Sequence, residues 1–164
     1  MTSESDPILI RAYQAADNID TVRAVFQEYA DSLAIDLCFQ NFEAELADLP
    51  GDYAPPRGAL FLASSAHDTV GCCALRPLDT ADYPNACEMK RLYVRPALRG
   101  NGLGRRLAEA VMQAATLAGY AYVLLDTLSE METARAMYQE LGFVEVAPYY
   151  FNPIEGAHYL MARL

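Results

Sequence analysis

The sequence lacks the patterns that mark several classes of protein. No apolar run approaches the roughly 20 residues needed to span a bilayer. The first residues, MTSESDP, are polar and acidic, so we expect neither a secretory signal peptide nor a basic transit peptide. The four cysteines show no C-x-x-C spacing and flank no paired histidines, which argues against a disulfide framework and a zinc site. We expect a cytoplasmic protein with reduced thiols, no metal and no contact with a membrane.

Basic residues are also scarce. The formal net charge of −10 argues against nucleic acid or an anionic membrane as the main partner. The basic residues are nevertheless concentrated, since seven of the twelve Lys and Arg form what we call the basic island: Arg76, Lys90, Arg91, Arg95, Arg99, Arg105 and Arg106. The basic island favours a small anionic ligand held locally, and the alternative is a solvated basic face.

No internal repeat or low-complexity tract interrupts the 164 residues, so we predict one domain over residues 1–164. Segments with strand-like alternation and segments with helical spacing follow one another along the chain. This order predicts an α/β (α+β) fold, with a mixed central sheet of about six to seven strands flanked by about four helices.

One predicted strand, from Glu88 to Val94, has an imperfect alternation. Polar and apolar residues mix on both of its faces. One extra residue near Arg91 would exchange the faces and restore the pattern, which is what a β-bulge does. We therefore predict a bulge at Arg91.

A glycine-rich loop joins this strand to the next predicted helix. Glycines at positions 100, 102 and 104 permit positive φ and leave successive N–H groups free to converge on one anion. The start of the helix adds the positive end of its macrodipole. Arg105 and Arg106 are unfavourable at a helix amino terminus unless a polyanion binds there. The loop therefore predicts a pyrophosphate site.

Three kinds of phosphate-binding loop compete for this segment. A P-loop needs a Lys-Ser or Lys-Thr pair, and none occurs here. A nicotinamide-type dinucleotide loop is an alternative, because a second predicted strand ends at Asp126 after a suitable interval. Against it, the last glycine of G-x-G-x-x-G is missing, and Arg95-Pro-Ala-Leu-Arg99 separates the strand from the first glycine.

The third kind is the Arg/Gln-x-x-Gly-x-Gly/Ala loop of the GNAT superfamily of N-acetyltransferases, which Arg99-Gly-Asn-Gly-Leu-Gly104 resembles. Leu92-Tyr-Val-Arg-Pro96 is similar to the end of the family's fourth strand, and the segment from Ala134 to Phe143 to its later helix and strand start. The resemblance covers nearly the whole chain. One departure is Met131, at a position where relatives often carry Asn.

The resemblance implies a set of site residues. Acetyl-coenzyme A (acetyl-CoA) would be held by Leu92, Tyr93, Val94, Arg99, Gly100, Asn101, Gly102, Leu103, Gly104 and Arg105. Tyr138 matches the general acid, with a core tyrosine as the alternative. Glu88 is the candidate base, directly or through water, with an exposed strand-end glutamate as the alternative. The acceptor would lie between residues 29–42 and a loop whose candidate residues are Tyr149, Tyr150 and Asn152.

The resemblance thus implies an enzyme that moves an acetyl group from acetyl-CoA to a primary amine of a small molecule or peptide. Relatives are often dimers, so a homodimer is possible. Two alternatives stay open: a non-catalytic coenzyme A-binding regulatory module and a nicotinamide dinucleotide-binding protein. His67 and His158 are isolated, and we expect structural roles for them.

Overall fold

A computed structural model describes residues 7–33, 36–37, 41–66, 68–79, 82–129 and 131–164. The strands in this part of the chain are β1 (Ile8–Ala12), β2 (Ala59–Ser65), β3 (Asp68–Leu78), β4 (Ala86–Val94), β5 (Tyr122–Leu128), β6 (Val144–Val146) and β7 (Ala157–Arg163). The α-helices are α1 (Ile19–Ser32), α2 (Phe42–Asp48), α3 (Leu103–Leu117) and α4 (Glu132–Glu140).

The strands form one seven-stranded sheet in the order β1-β2-β3-β4-β5-β7-β6. All neighbouring pairs are antiparallel except β4 and β5, which run parallel. One core lies between the sheet and helices α3 and α4, and a second core lies between the sheet and helices α1 and α2. The predicted mixed α/β sheet with helices on both faces is confirmed.

The predicted bulge in β4 is present. Arg91 has φ +61°, and the register between β3 and β4 shifts between Cys72 and Ala74. The side chain of Arg91 is 2% exposed, and it forms an ion pair with Glu45 of α2 at 2.9 Å. Its guanidinium also lies 5.1 Å from the ring centre of Phe42. The bulge therefore places the charged Arg91 side chain in the core beneath α2, where it pairs with the Glu45 carboxylate.

The parallel strands β4 and β5 separate after a short contact. They pair at three positions only, the last of which joins Glu88 to Leu124. β4 continues to Val94 and β5 to Leu128 without further pairing between them. We call the opening between residues 89–94 and residues 125–128 the splay. Along the splay, one edge of β4 has no strand partner for its backbone groups.

Three cysteines in the described part of the chain, Cys72, Cys73 and Cys87, are buried free thiols, as expected. Cys38 and His67 lie outside the described residues. None of the helices described is long and apolar enough to cross a membrane. Nor do the described residues contain a group of three or more His, Cys, Asp or Glu able to hold a metal ion.

Candidate active site

The glycine-rich loop forms a tight turn directly before α3. Gly100 has φ +86° and Gly102 has φ +77°, a backbone conformation that only glycine adopts at little cost. A Cβ atom built on either residue would meet no atom within 4 Å. Glycine is therefore required here by backbone conformation, and the space above the loop is open to a ligand.

The backbone amides of this loop lack protein acceptors. From position 100 to position 105 no N–H group donates to any group in the described part of the chain, and no side chain caps α3. The first amide with an acceptor is that of Arg106, which donates to the Gly102 carbonyl at 3.1 Å. We call these six N–H groups the amide cradle. Together with the positive end of the α3 macrodipole they form an anion site.

The basic island contributes less to this site than the sequence indicates. Five of its members pair with the protein's own carboxylates: Arg76 with Glu88, Lys90 with Asp126, Arg91 with Glu45, Arg95 with Glu28, and Arg105 with Glu109 and Glu140. Arg105 therefore does not depend on a bound polyanion for a charge partner, because Glu109 and Glu140 already contact it. Its backbone amide, rather than its guanidinium, belongs to the cradle.

Arg99 and Arg106 have no carboxylate partner among the described residues. Arg99 donates from Nε to the Val94 carbonyl at 2.9 Å and lies 5.9 Å from the ring centre of Tyr93. Arg106 donates to the carbonyl of Ile8 at 3.3 Å. Arg99 therefore ties the end of β4 to the loop, which keeps the amide cradle and the splay next to each other.

Tyr138 projects from α4 into the core and is 6% exposed. Its ring packs edge-on against Phe143 with ring centres 5.5 Å apart. Its hydroxyl group has no hydrogen-bond partner in the described part of the chain. Yet no fully buried side-chain oxygen or nitrogen described there lacks a partner. The hydroxyl therefore remains accessible to solvent, and so to a ligand, although its ring is buried.

Burial raises the pKa of Tyr138 well above 10, with smaller contributions from Cys73, Tyr29 and Asp126. Tyr138 is therefore protonated at neutral pH.

Glu88 is buried, contrary to the alternative of an exposed strand-end residue. It is the third residue of β4 and is 1% exposed. Arg76 contacts its Oε1 atom at 2.7 Å, and the Tyr149 hydroxyl donates to its Oε2 atom at 2.6 Å. The sequence of β4 did not indicate that Glu88 is buried, because a charged residue in a strand is usually exposed. Both carboxylate oxygens are engaged at the point where the splay begins.

A second carboxylate, Asp126 of β5, was not identified as a site residue in this role from the sequence. Its Oδ2 atom accepts from the Tyr150 hydroxyl at 2.6 Å and from the Asn152 side chain at 3.4 Å. Its Oδ1 atom lies 3.9 Å from Nζ of Lys90. Burial lowers the pKa of Lys90. The only signal in the sequence was an acid in an otherwise apolar strand.

The structure brings the three predicted acceptor-loop residues to the two carboxylates. Tyr149 binds Glu88, while Tyr150 and Asn152 bind Asp126. The rings of Tyr149 and Tyr150 also pack edge-on against Tyr159, with centres 5.4 and 5.5 Å apart. The opposite wall, residues 29–42, lies partly outside the described residues. The described residues thus include an anion site, an open strand edge, a protonated phenol and two carboxylates linked to the acceptor loop.

Comparison with known proteins agrees with this arrangement. Residues 21–143 match the acetyltransferase (GNAT) family. An uncharacterized N-acetyltransferase of Schizosaccharomyces pombe is 39% identical over 158 residues, which cover 96% of this chain and 95% of that protein. An acetyltransferase structure from Streptococcus agalactiae has a TM-score of 0.76 at 22% identity, covering 96% of this chain and 98% of its own.

A structure from Salmonella typhimurium, solved with its cofactor acetyl-CoA, has a TM-score of 0.67 at 16% identity. It covers 95% of this chain and 93% of its own. These structural similarities concern the fold, whereas the family match and the yeast relative extend to the sequence. The family match spans more than half of the chain and includes the glycine-rich loop and Tyr138. This chain therefore belongs to the acetyltransferase (GNAT) family of enzymes.

Proposed function

We propose that the protein transfers an acetyl group from acetyl-CoA to a primary amine of a small molecule or peptide. The observation that carries the proposal is the amide cradle, six consecutive N–H groups without a protein acceptor at the start of α3. A pyrophosphate supplies oxygens for such a row of donors. The acetyl-CoA in the Salmonella typhimurium structure, which shares the fold, supports this choice of ligand.

The splay offers a path from the cradle to the reaction site. In the proposal the pantetheine arm runs along Leu92, Tyr93 and Val94, where one edge of β4 has no strand partner. The amide groups of the pantetheine arm would form the backbone hydrogen bonds that a neighbouring strand would otherwise make. A backbone N–H of β4 would then polarise the thioester carbonyl, and such a donor is typically worth about 10²–10³ in rate.

We assign Tyr138 as the acid that protonates the departing thiolate. Burial keeps its phenol protonated, and its hydroxyl has no competing partner among the described residues. A phenol is an effective donor here only if the thiolate is unusually basic. Burial raises the pKa of both kinds of group in this core, that of the Cys87 thiol to about 12 and that of Tyr138 well above 10. The proposal therefore requires that burial makes the released thiolate basic enough to take the phenol proton.

We propose Glu88 as the proton acceptor for the attacking amine, through water or the Tyr149 hydroxyl. Arg76 contacts the Glu88 carboxylate at 2.7 Å and so holds it in place at the start of the splay. Glu88→Gln should lower kcat by about 10²-fold, the lower end of the range for general acid–base catalysis. The acidic limb of the pH–rate profile should disappear with it.

Arg76→Met is the matched control, because it keeps the carboxylate and removes the cation beside it. The acidic limb should therefore persist in Arg76→Met. An acidic limb that remains in Glu88→Gln would exclude Glu88 as the base.

The amide cradle is tested by a pair of glycine variants. Gly102→Ala should weaken acetyl-CoA binding at least tenfold, or about 1.4 kcal/mol, because its Cβ would project into the open space above the loop that the pyrophosphate would occupy. Gly119→Ala is the matched control: its φ is +88°, its Cβ also meets nothing within 4 Å, and it lies beyond the other end of α3. Both changes impose similar backbone strain, about 1–2 kcal/mol. If calorimetry gives the two variants equal affinities for acetyl-CoA, the amide cradle is not the pyrophosphate site.

The proposed activity is tested by release of coenzyme A thiol from acetyl-CoA. The assay uses a panel of amino acids, polyamines, aminoglycosides and peptides as acceptors. Turnover that depends on one class of amine supports the proposal and identifies the acceptor. Binding of acetyl-CoA without turnover on any acceptor would instead indicate a non-catalytic module, and thermal protection by NAD but not by coenzyme A would indicate a dinucleotide-binding protein.

A further inference from the structure

Three side chains outside the transfer site form a hydrogen-bonded relay at the far end of β5. The hydroxyl of Ser129 lies 2.7 Å from Nε2 of His158, and Nδ1 of the same ring lies 2.7 Å from Oε1 of Glu145. Ser129 follows β5 immediately, His158 lies in β7, and Glu145 lies in the edge strand β6. The acetyl-transfer chemistry proposed above uses none of these three residues.

We propose that this relay is a second catalytic site, a Ser–His–Glu triad that hydrolyses small carboxylic esters. In this proposal His158 carries its proton on Nδ1, which donates to Glu145, and the Nε2 lone pair then faces the serine hydroxyl. This is the order of contacts that activates a serine: a nucleophile bonded to a base, and the base oriented by a carboxylate. The triad is defined by this geometry and these roles, and it occurs on unrelated folds.

Two features of the backbone fit a nucleophilic role for Ser129. The residue is exposed and lies in the turn from β5 to α4, so a substrate can reach its hydroxyl. The amides of Glu132, Thr133 and Ala134, in the first turn of α4, have no acceptor among the described residues. These N–H groups are the nearest candidates in sequence for stabilising an oxyanion.

A structural function does not account for the whole relay. Ser129 is already joined to the β7 side by its backbone, whose N–H donates to the Gly156 carbonyl at 2.9 Å. The Ser129 hydroxyl also donates to the same carbonyl at 3.1 Å, and Nε2 of His158 lies closer to it, at 2.7 Å. In the proposed reaction the hydroxyl rotates from that carbonyl to the nearer imidazole nitrogen. Glu145 is 62% exposed and gains little from an ion pair that only holds an edge strand.

The proposed reaction needs no reactant besides the ester and water. The Ser129 oxygen forms a bond to the acyl carbon, and its proton moves to Nε2 of His158. The carbon–oxygen bond of the ester breaks, and the imidazolium protonates the departing alcohol. Water then attacks the acyl-serine and gives its proton to His158. Release of the carboxylic acid returns that proton to Ser129.

The test uses the full-length protein, p-nitrophenyl acetate and a fluorophosphonate probe without coenzyme A. We expect wild-type protein to hydrolyse the ester, and mass spectrometry to find the phosphonyl group on the peptide containing Ser129. Ser129→Ala and His158→Gln should each lower ester hydrolysis by about 10²-fold or more, the usual contribution of general base catalysis. Ser32→Ala is the control, since that exposed hydroxyl bonds only the Tyr29 carbonyl.

The outcomes separate this proposal from the acetyl-transfer proposal. Ser129→Ala should retain coenzyme A-dependent acetyl transfer, which shows that the variant folds. Labelling of the wild-type protein at Ser129 supports the triad whatever the transferase assay gives. Absence of label on Ser129 in the wild type, or equal ester hydrolysis by Ser129→Ala and Ser32→Ala, would overturn it.

Discussion

Replacing Tyr138 by phenylalanine should lower kcat by about 10²–10⁴-fold, the usual contribution of a general acid. The affinity for acetyl-CoA should stay within about twofold, a difference below 0.5 kcal/mol. The variant removes one oxygen atom and leaves the packing of the ring against Phe143 in place. Because the hydroxyl has no partner among the described residues, its loss breaks no hydrogen bond in that part of the fold. Steady-state thiol release gives kcat, and calorimetry gives the affinity.

Tyr120→Phe provides the matched control for Tyr138. Tyr120 belongs to the same core and is 8% exposed, but its hydroxyl donates to the Arg57 carbonyl at 2.7 Å. Loss of that hydrogen bond should reduce stability by about 1 kcal/mol and leave turnover unchanged. If Tyr138→Phe turns over as fast as Tyr120→Phe, the hydroxyl takes no part in the reaction and Tyr138 is a core residue.

Truncating Glu45 to alanine should lower the free energy of unfolding by about 3–5 kcal/mol, the cost of breaking a buried ion pair from one side. Arg91 is 2% exposed and stands at a bulge with φ +61°, so it has no route to solvent without remodelling β4. Its pKa is raised by Glu45, although burial acts in the opposite direction. Arg91 therefore stays charged in Glu45→Ala, and its buried charge is left without the Glu45 carboxylate.

Urea unfolding of Glu45→Ala and Glu43→Ala measures this effect within one helix. Glu43 is exposed on α2, and its removal should change stability by no more than about 0.5 kcal/mol. A loss below 1 kcal/mol in Glu45→Ala would show that Arg91 finds another carboxylate or water. The bulge would then not depend on α2.

Local patterns in the sequence predicted the parts of the site that depend on local chemistry. The disrupted alternation around Arg91 indicated the bulge, and Gly100 and Gly102 indicated the left-handed turns before α3, whereas Gly104 lies within the helix. Both features follow from backbone sterics, which act over a few residues. The opening between β4 and β5, by contrast, depends on strand pairing, which is not encoded locally.

Side-chain partners distant in sequence could not be predicted in this way. Glu45 and Glu28 lie 46 and 67 positions from the arginines they neutralise, so the basic island looked unpaired. Asp126 was overlooked as a partner of the acceptor loop because Tyr150 and Asn152 join it across more than twenty residues. A charged residue in an apolar strand is usually exposed. Glu88 and Asp126 depart from that pattern, because each accepts a hydrogen bond from a tyrosine of the acceptor loop.

Calorimetric titration of the wild-type protein with acetyl-CoA tests the central claim most directly. Bare main-chain N–H groups at the opening turn of α3 should capture the pyrophosphate, so one molecule should bind per chain with measurable heat. Acetyl-pantetheine lacks the diphosphate bridge, so it should bind with far lower affinity than acetyl-CoA. No heat with acetyl-CoA at millimolar concentration would contradict the account.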